Sequence, residues 1–281
     1  MRQRLILWLI AVFWSAGVTA DSGPIRIGVT PAIVHDDYLV MMDLRQYLER
    51  KTARVVELVP RNSYRETIDL IKHGQLDFAW VSAYSFVYSQ HNLKTRLLAV
   101  PVIDGHPYFR SYLIVPASDL ITTSLAQMEG KIFAYADPYS YTGYLLPRYE
   151  LRRVGKNANT FFAKAFFAWG HKKVIRAVAS GLADGAYVNS FVWDSLAVSE
   201  PELTVGTRIV TRSAECGSPP LIASGQTSEQ DFMALRRVLF DMSADPEGVK
   251  LLKRLHLDGF VAGDAKAYAN VARMMHVMGE L

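Results

Sequence analysis

The sequence predicts an α/β protein of two lobes, each a mainly parallel β-sheet flanked by helices, with a cleft between them. Two observations predict this fold. Short β-rich runs alternate with segments of helical periodicity, once before Gly105 and again from about Ser124 onward. Between these stretches the long apolar run 108–115 interrupts the alternation, which indicates that the chain passes there from one lobe to the other.

The first lobe is predicted from an alternation of strands and helices. Its strands are IRIGVT (25–30), VVELV (55–59), LDFAWV (76–81) and LLAVPVI (97–103). The helix after the second strand begins with a capping box, because Ser63 and Glu66 can cover its free amides, and it is expected to end near Gly74. Ligands of such sheets bind at the carboxyl ends of the strands, where residues 81–84 lie.

The second lobe repeats the alternation. Its predicted elements are a strand at 108–115, a short helix at 124–128, the strand KIFAYA (131–136), a helix after a turn, a helix at 172–180, the strand GAYV (185–188), a helix at 191–198 and the strand TRIVTR (207–212). Three helical patterns then begin near Ser228, Pro246 and Ala265, the first capped by Ser228 with Asp231. We expect these helices to return to the first lobe.

The predicted lobes therefore comprise residues 21–111 with 213–281, and residues 112–212. The two chain crossings lie near Ser111 and Arg212. Closure of such lobes around a ligand is an established domain motion.

Residues 1–20 are typical of an export signal. Arg2 and Arg4 precede an apolar stretch, and small or β-branched residues lead up to Ala20. The apolar stretch is shorter than the ~20 residues that span a bilayer, which favours cleavage after Ala20 over a membrane anchor. We expect a periplasmic protein.

Composition excludes several classes of protein. The chain of 281 residues has one cysteine, Cys216, so no internal disulfide can form, and stability has to come from burial of its 50% hydrophobic residues. The formal net charge of +4 is spread without long basic runs, so nucleic acid is not an expected partner. A monomer without a cofactor is expected.

The stretch DPYSYTGYLLPRYEL (137–151) joins the strand KIFAYA to a helix through a turn rich in hydroxyl groups. Ser140, Tyr141, Thr142 and Gly143, called the 140–143 turn below, can hold an oxyanion with free amides, two hydroxyls and the positive end of a helix dipole. The alternative is an ordinary helix cap. Pro147 falls inside the predicted helix, so a kink or a late helix start is expected.

The same stretch resembles the strand-to-helix motif of the PhnD-type phosphonate, phosphite and phosphate solute receptors of ABC transporters, in which Asp-Pro precedes a Ser-Thr-Ser-Gly anion turn. Four further stretches resemble family blocks in the family order: NSYRETIDLIKHGQLDFAWVS, DGHPYFRSYLIV, FFAWGHKKVIRAVASGLADGAYV and PEGVKLLKRLHLDGFVAGDAKAY. The resemblance covers essentially the whole chain after residue 20. It implies a type II periplasmic binding protein that holds a small anion between its lobes and serves an ABC permease.

The resemblance also implies which residues bind the ligand. They are Tyr64 and Tyr108 in the cleft, Tyr84 at the end of the third strand, Ser140, Tyr141, Thr142 and Gly143 in the turn, His171 from the second lobe, and Asn189 after the strand GAYV. Each also has an ordinary structural interpretation. The tyrosines can be core or sheet-surface residues, and His171 can be a helix cap or a solvated side chain.

Two positions depart from the family pattern. Tyr141 replaces a small hydroxyl residue and is expected to narrow or reshape the pocket, and Asn189 stands where the family often has an aspartate. A carboxylate beside the ligand accepts a hydrogen bond from a protonated oxyanion, whereas a site of neutral donors tolerates full deprotonation. The ligand therefore need not carry a P–OH group and could be a sulfur oxyanion or another organic anion.

Two other functions remain open at this stage. A sensory protein could report the same ligand to a membrane histidine kinase. A hydrolase could be imagined from Ser140, His171, Asp104 and His106, but the sequence has no G-x-S-x-G elbow, no H-E-x-x-H and no Cys/His cluster with metal-ligand spacing. We therefore expect neither catalysis nor a metal site.

Overall fold

A computed structural model describes residues 23–30 and 38–281. It has two main sheets flanked by helices, which confirms the predicted α/β class. The predicted signal at 1–20 and its cleavage after Ala20 lie outside the described residues. Of the helices in those two ranges, none has both the length and the apolar character to span a bilayer.

The elements of the described residues follow in chain order. The strands are β1 Ile25–Val29, β2 Val56–Pro60, β3 Phe78–Trp80, β4 Arg96–Val102, β5 Tyr108–Phe109, β6 Ser111–Pro116, β7 Ile132–Tyr135, β8 Lys164–Phe167, β9 Gly185–Asn189, β10 Thr207–Arg212, β11 Cys216–Gly217, β12 Leu221–Ala223 and β13 Gly259–Val261. The α-helices are α1 Tyr38–Thr52, α2 Tyr64–Lys72, α3 Ala83–Leu93, α4 Leu146–Arg153, α5 Ala158–Phe161, α6 His171–Ala179, α7 Ser190–Ser199, α8 Pro201–Val205, α9 Glu229–Asp241, α10 Pro246–Arg254 and α11 Ala269–Met278. Short 3₁₀ helices span Leu125–Met128, Met242–Ala244 and Ala265–Tyr268, and a π-helical turn spans Tyr141–Leu145.

The first sheet has the strand order β13-β4-β12-β3-β1-β2. β1 pairs in parallel with β2 and β3, while β12 lies antiparallel between β3 and β4. Strands β1 to β4 therefore run in one direction. Their carboxyl ends meet at one edge, where α2 and α3 begin.

The second sheet has the order β10-β6-β9-β7-β8. β7 pairs in parallel with β8 and β9, while β6 lies antiparallel between β9 and β10. In both sheets an antiparallel strand, β6 or β12, is inserted soon after the chain arrives from the other sheet. The carboxyl edge of the second sheet therefore also receives the start of β6.

The predicted strand at 108–115 is wrong as one element. Tyr108–Phe109 pairs with Cys216–Gly217 in a two-stranded ribbon, and Ser111–Pro116 belongs to the second sheet. Arg110 stands between them, and its N–H donates to the Ser190 hydroxyl at 3.0 Å instead of to a neighbouring strand. Sequence periodicity cannot show this change because both pieces are apolar. The lobe boundaries at 111/112 and 212/213 stay predictions.

Apolar packing joins the two sheets. Each sheet also has an apolar cluster of its own. The cluster of the first sheet contains Leu239, and the cluster of the second sheet contains Leu196. A third cluster contains residues from both halves, including Phe86 of α3 and Leu145 of the π-helical turn. The turn is therefore seated against the first half of the molecule.

Both predicted serine caps are confirmed, whereas the Glu66 carboxylate accepts no hydrogen bond from the described residues, so the predicted capping box at α2 is only half formed. The Ser63 hydroxyl accepts from the Glu66 N–H at 3.3 Å, and the Ser228 hydroxyl accepts from the Asp231 N–H at 3.0 Å. Each satisfies one amide that has no acceptor within its helix.

Replacing Ser228 by alanine should lower the free energy of unfolding by about 1 kcal/mol, because the first turn of α9 loses its acceptor. Chemical denaturation measures the change. Ligand affinity should stay the same, since α9 begins beside the amino end of β3, where the Thr227 hydroxyl donates to the Asp77 carbonyl, and not at the carboxyl ends of the strands. An unchanged unfolding free energy would contradict the capping role.

Candidate functional site

Three helix starts meet at the carboxyl edge of the second sheet. The parallel strands β7, β8 and β9 end there and lead into the π-helical turn, α6 and α7. A predicted site residue stands at each start, namely Ser140, His171 and Asn189. Free N–H groups and the positive ends of helix dipoles therefore converge at this edge.

The 140–143 turn opens a π-helical turn. The N–H groups of Leu145 and Leu146 donate to carbonyls five residues back, those of Ser140 and Tyr141. Single π-helical turns are rare and occur often at functional sites. The wider turn keeps the Ser140 hydroxyl inside the first turn, where it accepts from the Gly143 N–H at 3.0 Å.

The late helix start expected from Pro147 is confirmed. The α-helix begins only at Leu146, which places Pro147 in its first turn. The carbonyl four residues before the proline, that of Gly143, accepts instead from the Ala136 N–H at 3.2 Å. The missing proline N–H therefore leaves no buried carbonyl unpaired.

Gly143 is required by close packing. A Cβ atom at this position would lie 2.4 Å from the Ala136 Cβ and 3.3 Å from the His171 Cε1. Only glycine lets the turn lie this close to the end of β7 and to His171. The predicted approach of Gly143 to a ligand stays a prediction.

The residue before His171 has an unusual backbone conformation, which places His171 beside the 140–143 turn. Gly170 adopts φ 134°, which favours glycine, and its N–H donates to the Ala136 carbonyl at 3.0 Å. His171 is 2% exposed. Its Nδ1 accepts from the Asn189 N–H at 3.3 Å, and its Nε2 lies 3.5 Å from the Ser140 Oγ.

These contacts determine the protonation of His171. Because Nδ1 faces an N–H donor, the ring proton has to be on Nε2, facing Ser140. Burial lowers the pKa of His171 to about 3, so the imidazole is neutral at physiological pH. The histidine is therefore a donor toward the turn and carries no charge.

Asn189 is the last residue of β9 and the cap of α7. Its Oδ1 accepts from the Phe191 N–H at 2.9 Å, which orients the carboxamide. The residue is 2% exposed, and no hydrogen bond of its Nδ2 group is found among the described residues. Asn189 therefore has an NH₂ donor to spare, while its oxygen is occupied.

Further donors lie in the turn itself. The N–H groups of Tyr141 and Thr142 belong to the first turn, where the helix offers no acceptor, and within 23–30 and 38–281 neither finds one elsewhere. The Thr142 hydroxyl is likewise unpaired within those ranges, although Thr142 is 2% exposed. Buried polar groups without partners are uncommon and require a ligand or water.

Sequence reasoning missed Ser111. It is the first residue of β6 and lies directly opposite Asn189, so both side chains lie on the same sheet face, the face that the π-helical turn covers. Ser111 is fully buried, and its Oγ has no hydrogen-bond partner in the described part of the chain. A serine at the start of an apolar strand gives no sequence signal of its own.

The Tyr141 side chain lies in the core between the two halves. Its ring is 3% exposed and packs edge-on against Phe109 of the ribbon, with centroids 6.2 Å apart. Burial raises the pKa of Tyr141, which keeps its hydroxyl protonated beside Ser213. The group that Tyr141 offers at the turn is therefore its main-chain N–H.

Two of the three tyrosines predicted from the first lobe contact the segment just before the 140–143 turn. Tyr64 is buried at the start of α2, and its N–H donates to the Asp137 carboxylate at 3.1 Å. Tyr84 is 6% exposed, and its ring lies 5.3 Å from that of Tyr139. Tyr108 is 40% exposed on the ribbon, opposite Gly217.

Asp137 is the carboxylate nearest to the turn in sequence. Its two oxygens accept from the N–H groups of Tyr64 and Tyr139. Burial raises the pKa of Asp137, and these two hydrogen bonds act in the opposite direction. Elsewhere in the described ranges, no three His, Cys, Asp or Glu side chains are placed to hold a metal ion.

The arrangement is a set of neutral donors at convergent helix starts, suited to an anion. The family model for periplasmic substrate-binding proteins of phosphonate ABC transporters matches residues 27–268. The chain belongs to this family.

Known proteins are similar to the chain over most of its length. The phosphate-import protein PhnD of Mycolicibacterium smegmatis is 24% identical over 259 residues, which cover 88% of this chain and 79% of that protein. PhnD1 of Prochlorococcus marinus, solved with methylphosphonate, has a TM-score of 0.81 and 19% identity, covering 92% of this chain and 98% of that one. The binding component of a Pseudomonas aeruginosa phosphonate transporter also has a TM-score of 0.81, with 21% identity and coverage of 90% and 85%. Members of this family are periplasmic components of transporters.

Replacing Gly143 by alanine should lower the free energy of unfolding by about 1 to 3 kcal/mol, because the new methyl group overlaps Ala136. Chemical denaturation measures this. The matched control is Gly23→Ala, where a Cβ meets no atom within 4 Å. Equal stability of the two variants would contradict the packing at the turn.

Acid should destabilise the protein through His171. The unfolded histidine takes up a proton near pH 6.5, but the folded one only near pH 3, so stability is lost as pH falls through this window. The loss from this group approaches about 1.4 kcal/mol per pH unit. His171→Gln, which can keep both contacts, should flatten the profile in denaturation experiments at several pH values. An unchanged slope would contradict a buried neutral imidazole.

Proposed function

We propose that this protein captures a small oxyanion of the phosphonate or phosphate type in the periplasm and delivers it to an ABC permease. The family assignment supports the transport role, and the names of the relatives support the ligand class. The single observation that carries the proposal is the set of unpaired donors at the 140–143 turn. These donors belong to residues that are almost completely buried.

Binding replaces the hydration shell of the anion by fixed donors. Main-chain N–H groups at a helix start hold phosphate-like groups well, because the helix dipole adds to their hydrogen bonds. The Ser140 and Thr142 hydroxyls and the Asn189 NH₂ group add donors, and His171 is proposed to line the site and to direct its Nε2–H at Ser140, which leaves the Ser140 proton for the ligand. Tyr64 and Tyr84 are proposed to complete the site from the first lobe, and Tyr108 to lie at its margin.

Contacts between the lobes favour the closed form. The Ser82 hydroxyl donates to the Tyr139 carbonyl at 2.6 Å, next to the bond between Tyr64 and Asp137. Both contacts join the starts of first-lobe helices to the segment just before Ser140. A ligand held by the turn strengthens this arrangement because it binds only where both lobes supply donors.

We infer that the site does not hydrolyse its ligand. A nucleophilic Ser140 would need a base, but the His171 Nε2 that faces it carries the ring proton. The Nδ1 atom accepts a main-chain N–H, whereas a catalytic histidine donates this proton to an orienting group. Asp104 and His106 lie on the loop before β5.

The remaining assignments follow from the family. We propose export with cleavage after Ala20, action as a monomer, and a membrane permease as partner. None of the three relatives above is described as part of a sensor. The two lobes are proposed to be residues 21–111 with 213–281, and residues 112–212.

Calorimetric titration of the purified protein with methylphosphonate and phosphate tests the proposal. Ser140→Ala should weaken binding about tenfold, because one buried donor typically contributes about 1 to 3 kcal/mol. Ser228→Ala is the matched control, since it also removes a serine cap but lies outside the site. Failure of the protein to bind any phosphonate or phosphate, or equal affinity of the Ser140 variant and the wild type, would refute the proposal.

A further inference from the structure

We infer that the site selects oxyanions by protonation state and prefers those without an acidic proton, such as doubly deprotonated phosphonates, sulfonates and sulfate. This inference rests on the proposed function and adds the chemical form of the ligand. The reason is that most acceptor positions at the site are already occupied, whereas several donors are free.

Ser140 can only donate. A serine hydroxyl has two acceptor positions and one proton. The Gly143 N–H occupies one position at 3.0 Å, and the His171 Nε2–H points at the other from 3.5 Å. What remains for a ligand is the hydroxyl proton.

His171 and Asn189 are restricted in the same way. The only acceptor atom of His171, Nδ1, receives the Asn189 N–H. The only side-chain acceptor of Asn189, Oδ1, receives the Phe191 N–H. His171 therefore offers a ligand no acceptor atom, and the Asn189 Oδ1 is turned toward the start of α7 while its NH₂ group is left to donate. The N–H groups of Tyr141 and Thr142 add further donors.

The remaining groups at the edge are neutral hydroxyls. Thr142 and Ser111 can donate to an oxyanion or accept from one, so they do not distinguish the two forms. Tyr64 is kept protonated, because burial raises its pKa. These groups bring no negative charge to the ligand.

The charged groups around the site each have partners of their own. Asp137 receives N–H groups on both oxygens, with Glu66 as its acidic neighbour on α2. On α6, Lys172 forms an ion pair with Glu200 at 2.6 Å. On α4, Glu150 accepts from the Tyr187 hydroxyl at 2.7 Å.

A P–OH group would therefore find an acceptor only at the Thr142 or Ser111 hydroxyl, and in any other orientation would direct its proton at another donor. A mismatched donor loses its hydrogen bond to water without a replacement, which is how buried sites reject a ligand of the right shape. An oxyanion without this proton makes acceptor contacts on every oxygen. The two forms of the ligand have the same shape and differ by one proton.

The hydrogen methylphosphonate and methanesulfonate ions test this directly, because they share shape and charge and differ by the proton. At about pH 5.5 methylphosphonate carries its P–OH group, while His171 stays neutral. Calorimetry should then show methanesulfonate binding about ten times or more tightly than methylphosphonate. As pH rises toward the second pKa of methylphosphonate, its affinity should rise by up to about tenfold per pH unit and then level off above that pKa, and the affinity of methanesulfonate should not change.

Asn189→Asp is the informative variant. Aspartate caps a helix as well as asparagine, so the bond to Phe191 and the fold should be retained. The change replaces the free NH₂ group by an acceptor oxygen and should reverse the order of the two ligands at about pH 5.5. Asn189→Ser keeps a capping oxygen without the NH₂ group and should weaken both ligands while preserving their order.

Two results would overturn the inference and leave the proposed function in place. The first is hydrogen methylphosphonate binding as tightly as methanesulfonate at about pH 5.5, which would point to Asp137 as a proton acceptor. The second is an unchanged ligand order in Asn189→Asp. Absence of binding to both phosphonate and phosphate at every pH would instead refute the proposed function.

Discussion

The candidate site depends on one buried hydrogen bond, in which the Asn189 N–H donates to the His171 Nδ1. It joins the end of β9 to the start of α6, and it forces the imidazole proton onto the nitrogen that faces Ser140. Without it, the histidine could present an acceptor to the turn. A single main-chain amide thus determines whether the center of the site donates or accepts.

The second constraint is steric. The turn can lie beside His171 only because Gly143 has no side chain and because Gly170 adopts a conformation that favours glycine. The π-helical turn then absorbs Pro147 without leaving an unpaired carbonyl. Both features serve local packing, and a consequence is that several N–H groups at the strand ends remain free for an anion.

Much of the fold could be predicted because alternation and caps are local signals. Ser63 and Ser228 mark helix starts as expected, and Pro147 marks a late start. The strand 108–115 was predicted wrongly, since two apolar pieces that enter different sheets look alike in sequence. Residue types also identified Ser140 and Thr142 as candidates, and the family resemblance identified Asn189, but Ser111 became visible only through its pairing opposite Asn189.

The sequence by itself determined the α/β class, the hydroxyl-rich strand-to-helix turn and the family resemblance, because periodicity and motifs are written in neighbouring residues. Only the tertiary structure decided which atoms at the site donate and which accept. That property depends on contacts between segments far apart in the chain, such as His171 with Asn189 and Tyr64 with Asp137. The residue types determine which protons and lone pairs exist at the site, whereas the packing determines which of them remain free to bind a ligand.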